Sequence, residues 1–121
     1  MNKAEFAEVF KNRTKKFSIE IIFLYRRLPK TDEVKIIGRQ LLKAATSVAS
    51  NYRAACRARS DNEFFSKISI VVEEADETVF WLEVLTESLI YKVEDKLMKE
   101  ANEILSIVSS SRKTIKNRMN I

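Results

Sequence analysis

The chain has no histidine, one cysteine, one glycine and one proline in 121 residues. Without histidine there is no Ser-His or Cys-His nucleophile pair and no imidazole metal ligand. The paired Glu-x-x-His motifs of di-metal helical bundles are excluded for the same reason. A single cysteine, Cys56, rules out a disulfide within the chain, and the absence of any glycine-rich loop removes the usual cradle for a nucleotide phosphate. Only two residues of the turn-making pair Gly and Pro leave little punctuation for a many-turned β fold, so long helices with few connections are expected. No apolar run is long enough to span a bilayer, and the opening MNKAEFAEVFKN lacks the apolar core of a signal peptide. The cytoplasm is the expected location, and a membrane partner is not expected.

What is present is charge, unevenly laid out. The 22 Lys and Arg outnumber the 17 Asp and Glu. Residues 29–59 hold seven cations and two acids, whereas residues 60–90 hold one cation, Lys67, and eight acids. A basic segment therefore leads straight into an acidic one. Hydrophobic residues make up 45% of the chain, enough for the core of one domain over residues 1–121.

Apolar spacing predicts four helices, at about 3–28, 32–58, 61–90 and 94–118. Phe6, Phe10, Phe17, Ile21, Leu24 and Leu28 share one stripe of the first, which ends because Pro29 follows. Ile19, Ile22 and Phe23 lie off that stripe and predict burial on a second side. Thr31 or Asp32 is expected to cap the second helix, whose apolar arc runs from Ile37 to Cys56 through many alanines. Cys56 on that arc reads as an inert packing residue. Ser60-Asp61-Asn62-Glu63 matches a capping box for the third helix. The core stripe there is Phe64, Ile68, Val71, Val72, Ala75, Val79, Leu82 and Leu89. On the fourth, Leu97, Ala101, Ile104, Leu105, Val108, Ile115 and Met119 align. Short connections make sequential helices neighbours, so the fold class is all-α, an antiparallel up-down-up-down four-helix bundle.

Two sets of residues are candidates for function. Wound at 100° per residue, Lys35, Arg39, Lys43, Arg53 and Arg57 fall with Thr46 and Ser50 inside an arc of roughly 80°. This is a candidate nucleic-acid-binding stripe, suited to phosphate contacts that are indifferent to base sequence. The competing reading pairs these cations with acids of the third helix, Arg53 and Arg57 with Asp61 and Glu63, and Lys35, Arg39 and Lys43 with Glu83 and Glu87. The second set, Ser47 and Asn51 at the border of the apolar arc and Ile70, Trp81 and Val84 on the far side of the third helix, is a candidate oligomer interface, the competing reading being that a neighbouring helix of the same chain packs Trp81. Arg112, Lys113, Lys116 and Arg118 near the C-terminus read either as complements to a helix dipole or as a frayed tail that touches phosphate. Glu73 and Glu77, one turn apart, read as a solvated acidic face.

The run Leu28-Pro29, Gln40-Leu41, Thr46-Ser47-Val48-x-x-Asn51-Tyr52-Arg53-x-Ala55, Arg57-Ala58-Arg59-Ser60-x-x-Glu63-Phe64, Lys67-x-Ser69-Ile70 and Glu73-Glu74-Ala75-Asp76-Glu77-Thr78-x-x-Trp81-Leu82-Glu83 closely resembles the bacterial four-helix-bundle proteins encoded by 23S rRNA intervening sequences. The match covers residues 28–85. It departs at Ala49 and Ser50, where the pattern has another small pair, and at Ala54, where it usually carries Glu. The resemblance implies a four-helix bundle that assembles as a homopentamer. That family is similar in turn to the accessory proteins of diversity-generating retroelements, whose basic pentameric barrels engage nucleic acid and reverse transcriptase. RNA, or a nucleoprotein such as a reverse transcriptase, is therefore the expected partner. No enzyme activity, cofactor or small-molecule substrate is expected. The alternative is a protein-interaction scaffold that binds no nucleic acid.

Overall fold

A computed structural model describes residues 1–121 as four helices and no strands: α1 (Lys3–Arg27), α2 (Asp32–Cys56), α3 (Asp61–Glu87) and α4 (Asp95–Met119). No helix is long and apolar enough to cross a membrane.

Each helix starts and stops for a local reason. The side chain of Asn2 accepts from the N–H of Glu5 (2.8 Å) and opens α1. Leu28 leaves helical geometry just before Pro29, as expected of a residue preceding proline. Thr31 holds the N-cap position of α2 but its hydroxyl makes no capping bond, so the expected side-chain cap is absent. At α3, Ser60 accepts from the N–H of Glu63 (3.1 Å), while the Glu63 carboxylate reaches one residue further back than a standard capping box, to the N–H of Arg59 (3.3 Å). The α3 terminus comes at Glu87, because Leu89 takes a left-handed backbone (φ 63°) and the N–H groups of Ile90 and Tyr91 both fold back to the carbonyl of Leu85. Leu89 is therefore 91% exposed and not part of the core stripe assigned to it.

Matched residue pairs establish the directions. Phe10 meets Tyr52 edge to face with centroids 4.8 Å apart, and Ser18 donates to the carbonyl of Ala45 (3.0 Å). Near the other end of α1, Tyr25 and Leu28 lie over Gly38, where a Cβ would stand only 3.1 Å from the tyrosine ring. The single glycine thus lets α1 lie close on α2. Between α3 and α4, Ser69 faces Arg112 and Asp61 faces Arg118. Rising numbers on one helix meet falling numbers on the next, so neighbours run in opposite directions. Helices α1 and α3 lie diagonally across the bundle, as do α2 and α4. The α1–α4 pair approaches least closely. There Arg13 clamps Glu100 with two bonds (2.6 and 2.8 Å) and also reaches Glu103 (3.1 Å).

All four helices contribute to one apolar core, including Phe17, Leu41, Ile68, Leu82 and Val108. Its polar members are satisfied: the Thr14 and Thr78 hydroxyls donate to carbonyls on their own helices. Two expectations for α1 change. Phe6 is 42% exposed, stacking on Phe10 at the end of the core instead of entering it. Ile19 and Phe23, expected to be buried on a second side, stay 43% and 49% exposed because no helix of this chain covers that side.

Candidate nucleic-acid interface and exposed apolar faces

Winding α2 onto the core through Leu41, Ala45, Val48 and Tyr52 turns the opposite face outward. Lys35, Arg39, Lys43, Arg53 and Arg57 are all exposed there, and none is within ion-pair distance of an acid. Thr46 donates to the carbonyl of Leu42 (2.8 Å) and Ser50 to that of Ser47 (3.3 Å). These short side chains lie back on the helix and leave the surface between the cations low.

The pairing expected with α3 does not occur within the chain. Asp61 takes Arg118 of α4 (2.7 Å), and Glu63 is spent on the N-terminus of its own helix. The reason is rotational. Asp61, Asp76, Glu83 and Glu87 lie roughly 140–180° around α3 from Glu74, the acid whose titration responds to Lys43 on α2. Burial pushes the Glu74 carboxyl above its ordinary value, the nearby Glu77 adds to the rise, and Lys43 opposes it without bonding.

The basic end of α4 behaves differently. Arg112 donates to the Ser69 hydroxyl (2.8 Å) with its guanidinium 4.7 Å from the centroid of Phe65, and helical structure continues to Met119. Arg112 and Arg118 therefore belong to the α3–α4 packing, and the frayed-tail reading is replaced.

One part of the basic surface was not legible as such in the sequence. Lys11, Asn12 and Lys15 of α1 come beside Thr46, Ser50 and Arg53 of α2, lining an open groove of about 270 Å³. The i, i+4 spacing of Lys11 and Lys15 was the available signal, but only packing aims that face at the basic edge of α2.

Of the candidate interface residues, Ser47 and Asn51 bond to each other along α2, the Asn51 amide donating to the Ser47 hydroxyl (2.8 Å) and carbonyl (3.0 Å). Ile70, Trp81 and Val84 are half-buried. Trp81 packs at the edge of the core and its indole N–H donates to Glu77 (3.1 Å), so that carboxylate is not simply solvated. Beside it Phe80, which the sequence reading did not single out, is 51% exposed and edge-to-face with Trp81 at 4.8 Å. Its place between Glu77 and Val84 on the far stripe was the signal. On α1, Ile19 and Phe23 are flanked along the helix by Lys16, Glu20 and Arg26, the last with its guanidinium 5.8 Å from the Phe23 ring centroid, and Phe23 borders a shallow hollow with Glu20, Arg27 and Glu94.

Cys56 is exposed and not packed in the arc assigned to it. Although the residue has open surface, desolvation of its sulfur by the protein around it pushes the thiol above its ordinary value, outweighing the opposing Tyr52 and Lys11, so at neutral pH it stays protonated and weakly nucleophilic.

These features define a four-helix bundle with an unpaired basic face on α2 and exposed phenylalanines on the diagonal helices α1 and α3. The chain belongs to the 23S rRNA-intervening sequence protein family, whose sequence model matches residues 8–110. It is similar to a crystallised protein of unknown function from the S23 ribosomal protein family of Bacteroides thetaiotaomicron. The two are 30% identical with a TM-score of 0.78, over 85% of this chain and 97% of that one. No curated protein matches.

Proposed function

We propose that the protein is a non-enzymatic cytoplasmic scaffold that assembles as a homopentamer and binds RNA, alone or within a nucleoprotein such as a reverse transcriptase complex, through the basic face of α2. The observation that carries this reading is the lack of any carboxylate partner for Lys35, Arg39, Lys43, Arg53 and Arg57, although the adjacent helix holds eight acids. Unpaired cations are common on this chain, and what sets these five apart is that they line one exposed helix face, as a polyanion needs. A fivefold repeat would turn a modest charge per chain into a concentrated field.

Self-association is supported by the two apolar faces. Ile19 and Phe23 lie among charges of both signs on α1, Lys16, Glu20 and Arg26, whereas Phe80, Trp81 and Val84 lie among the acids Glu73, Glu77 and Glu87 on α3. Because α1 and α3 are diagonal, these faces point in opposite directions, which suits a head-to-tail contact that closes into a ring. In that assembly Ile70, Trp81 and Val84, with Ser47 and Asn51 at the flank, form one side of the interface.

A salt titration of binding to a structured RNA tests the first part. Wild type is expected to show a linear fall of log affinity with log salt, and the Lys35→Glu, Arg39→Glu, Lys43→Glu variant a slope smaller by about 3, one phosphate per lost cation. No binding by wild type even at low salt would leave a scaffold without nucleic acid. Trp81→Glu is expected to yield monomers by light scattering, and an unchanged oligomer would remove α3 from the interface.

A further inference from the structure

We propose that the groove between α1 and α2 seats a phosphate group. Its shape follows from short side chains at a close crossing. The bond from Ser18 to the Ala45 carbonyl draws the helices together, and Ala49 and Ser50, the next outward positions, do not refill the space. Lys11, Lys15 and Arg53 stand around the resulting hollow, and no carboxylate lines it.

The three cations are not equivalent. Lys11 is already bonded to Glu8 (2.9 Å), just outside the groove, and Lys11 foremost, with a smaller contribution from Arg53, holds the Glu8 carboxyl below its ordinary value. Lys15 and Arg53 have no ion partner. The hydroxyls of Ser18, Thr46 and Ser50 spend their hydrogens on backbone carbonyls. Donors to an incoming oxyanion therefore come from Lys15, Arg53 and the Asn12 amide, a set that fits the several acceptor oxygens of a phosphate.

The lining also limits what enters. No aromatic side chain borders the groove, so it offers nothing on which a base could stack. At about 270 Å³ the open groove has room for a phosphate group and its waters. Thr46, Ser50 and Arg53 belong to both the groove and the α2 stripe. A strand lying along that stripe would bring a backbone phosphate to the groove, and to that extent the inference rests on the RNA reading; a free phosphate needs no such strand.

The test is a titration with inorganic phosphate at low ionic strength, followed by amide and guanidinium NMR shifts, with helicity checked for each variant. Saturable shifts confined to Lys11–Ser18 and Thr46–Arg53 are expected. Lys15→Ala and Arg53→Ala should each weaken binding about five- to tenfold. Ala49→Leu, which fills the hollow and removes no charge, should weaken it as well, while Lys92→Ala, in the α3–α4 connection and outside any assigned site, should not. Equal weakening by Lys92→Ala and Lys15→Ala, or unaltered binding with Ala49→Leu, would mean a diffuse field and overturn the site. The same Ala49→Leu protein titrated with RNA tells the sources apart: weaker RNA binding assigns the seat to the backbone, and loss of inorganic phosphate alone assigns it to a free ion. Wild type that binds phosphate but no RNA would end the RNA reading and leave the groove standing.

Discussion

Arg112 and Arg118, near the end of α4, each reach a partner on α3, whereas Arg53 and Arg57, near the end of α2, reach none. Both pairs are cations in the last turns of amphipathic helices beside the acidic α3. The difference is which side of α3 each neighbour meets. Asp61, Phe65 and Ser69 are presented to α4, while the α3 acid that responds to an α2 cation is the partly buried Glu74. Local charge content therefore says little about pairing. The rotation of one helix against the next decides it, and here it uses the α4 cations in folding and leaves those of α2 in water.

The contrast can be broken from either side. Reversing Lys35, Arg39 and Lys43 together should have the largest effect on RNA binding and leave the thermal midpoint nearly unmoved, because exposed unpaired cations contribute little to stability. A large fall in Tm would show instead that the stripe is structural.

Second in size is the α1–α4 clamp. Arg13→Ala should cost about 1 to 2 kcal/mol, seen as a drop of several degrees in Tm. Arg13 first, against a smaller burial cost, holds the Glu100 carboxyl below its ordinary value. That contribution is fully present above the unfolded carboxyl pKa of about 4.3 and is lost as pH falls through the lower folded value. Acid titration of stability from pH 5 downward should therefore be steeper in wild type than in Arg13→Ala, and parallel curves would refute the link.

Arg112→Ala should cost about 1 kcal/mol through its bond to Ser69 and its contact with Phe65, with RNA affinity nearly unchanged. Arg118→Ala is the smallest change: the pair with Asp61 is half exposed on both sides and should be worth about 0.3 kcal/mol or less. If either α4 variant weakened RNA binding as much as the α2 reversal, the division between the two basic regions would fail.

Much of the fold was legible because it is local. The 3.6-residue rhythm located four helices, Pro29 closed the first, and Ser60 opened the third. The end of α3 was not, since nothing in Ser88-Leu89-Ile90 signals a turn and the reversal depends on a leucine in a left-handed conformation. The α2 stripe could be drawn from spacing alone. The α1 half of the groove could not, because Lys15 and Arg53 are far apart in sequence and meet only through the Ser18–Ala45 contact.

By itself the sequence determined that this chain is helical, that α2 is basic and α3 acidic on their outer faces, and that histidine-dependent chemistry is absent, since each of these is a matter of composition and of periodicity within one segment. Only the tertiary structure decided which charges are paired, which apolar residues stay uncovered and where a groove opens. Those depend on the rotation and spacing of one helix against another, and these are set by residues such as Gly38, Ser18 and Arg13 whose neighbours lie on a different helix.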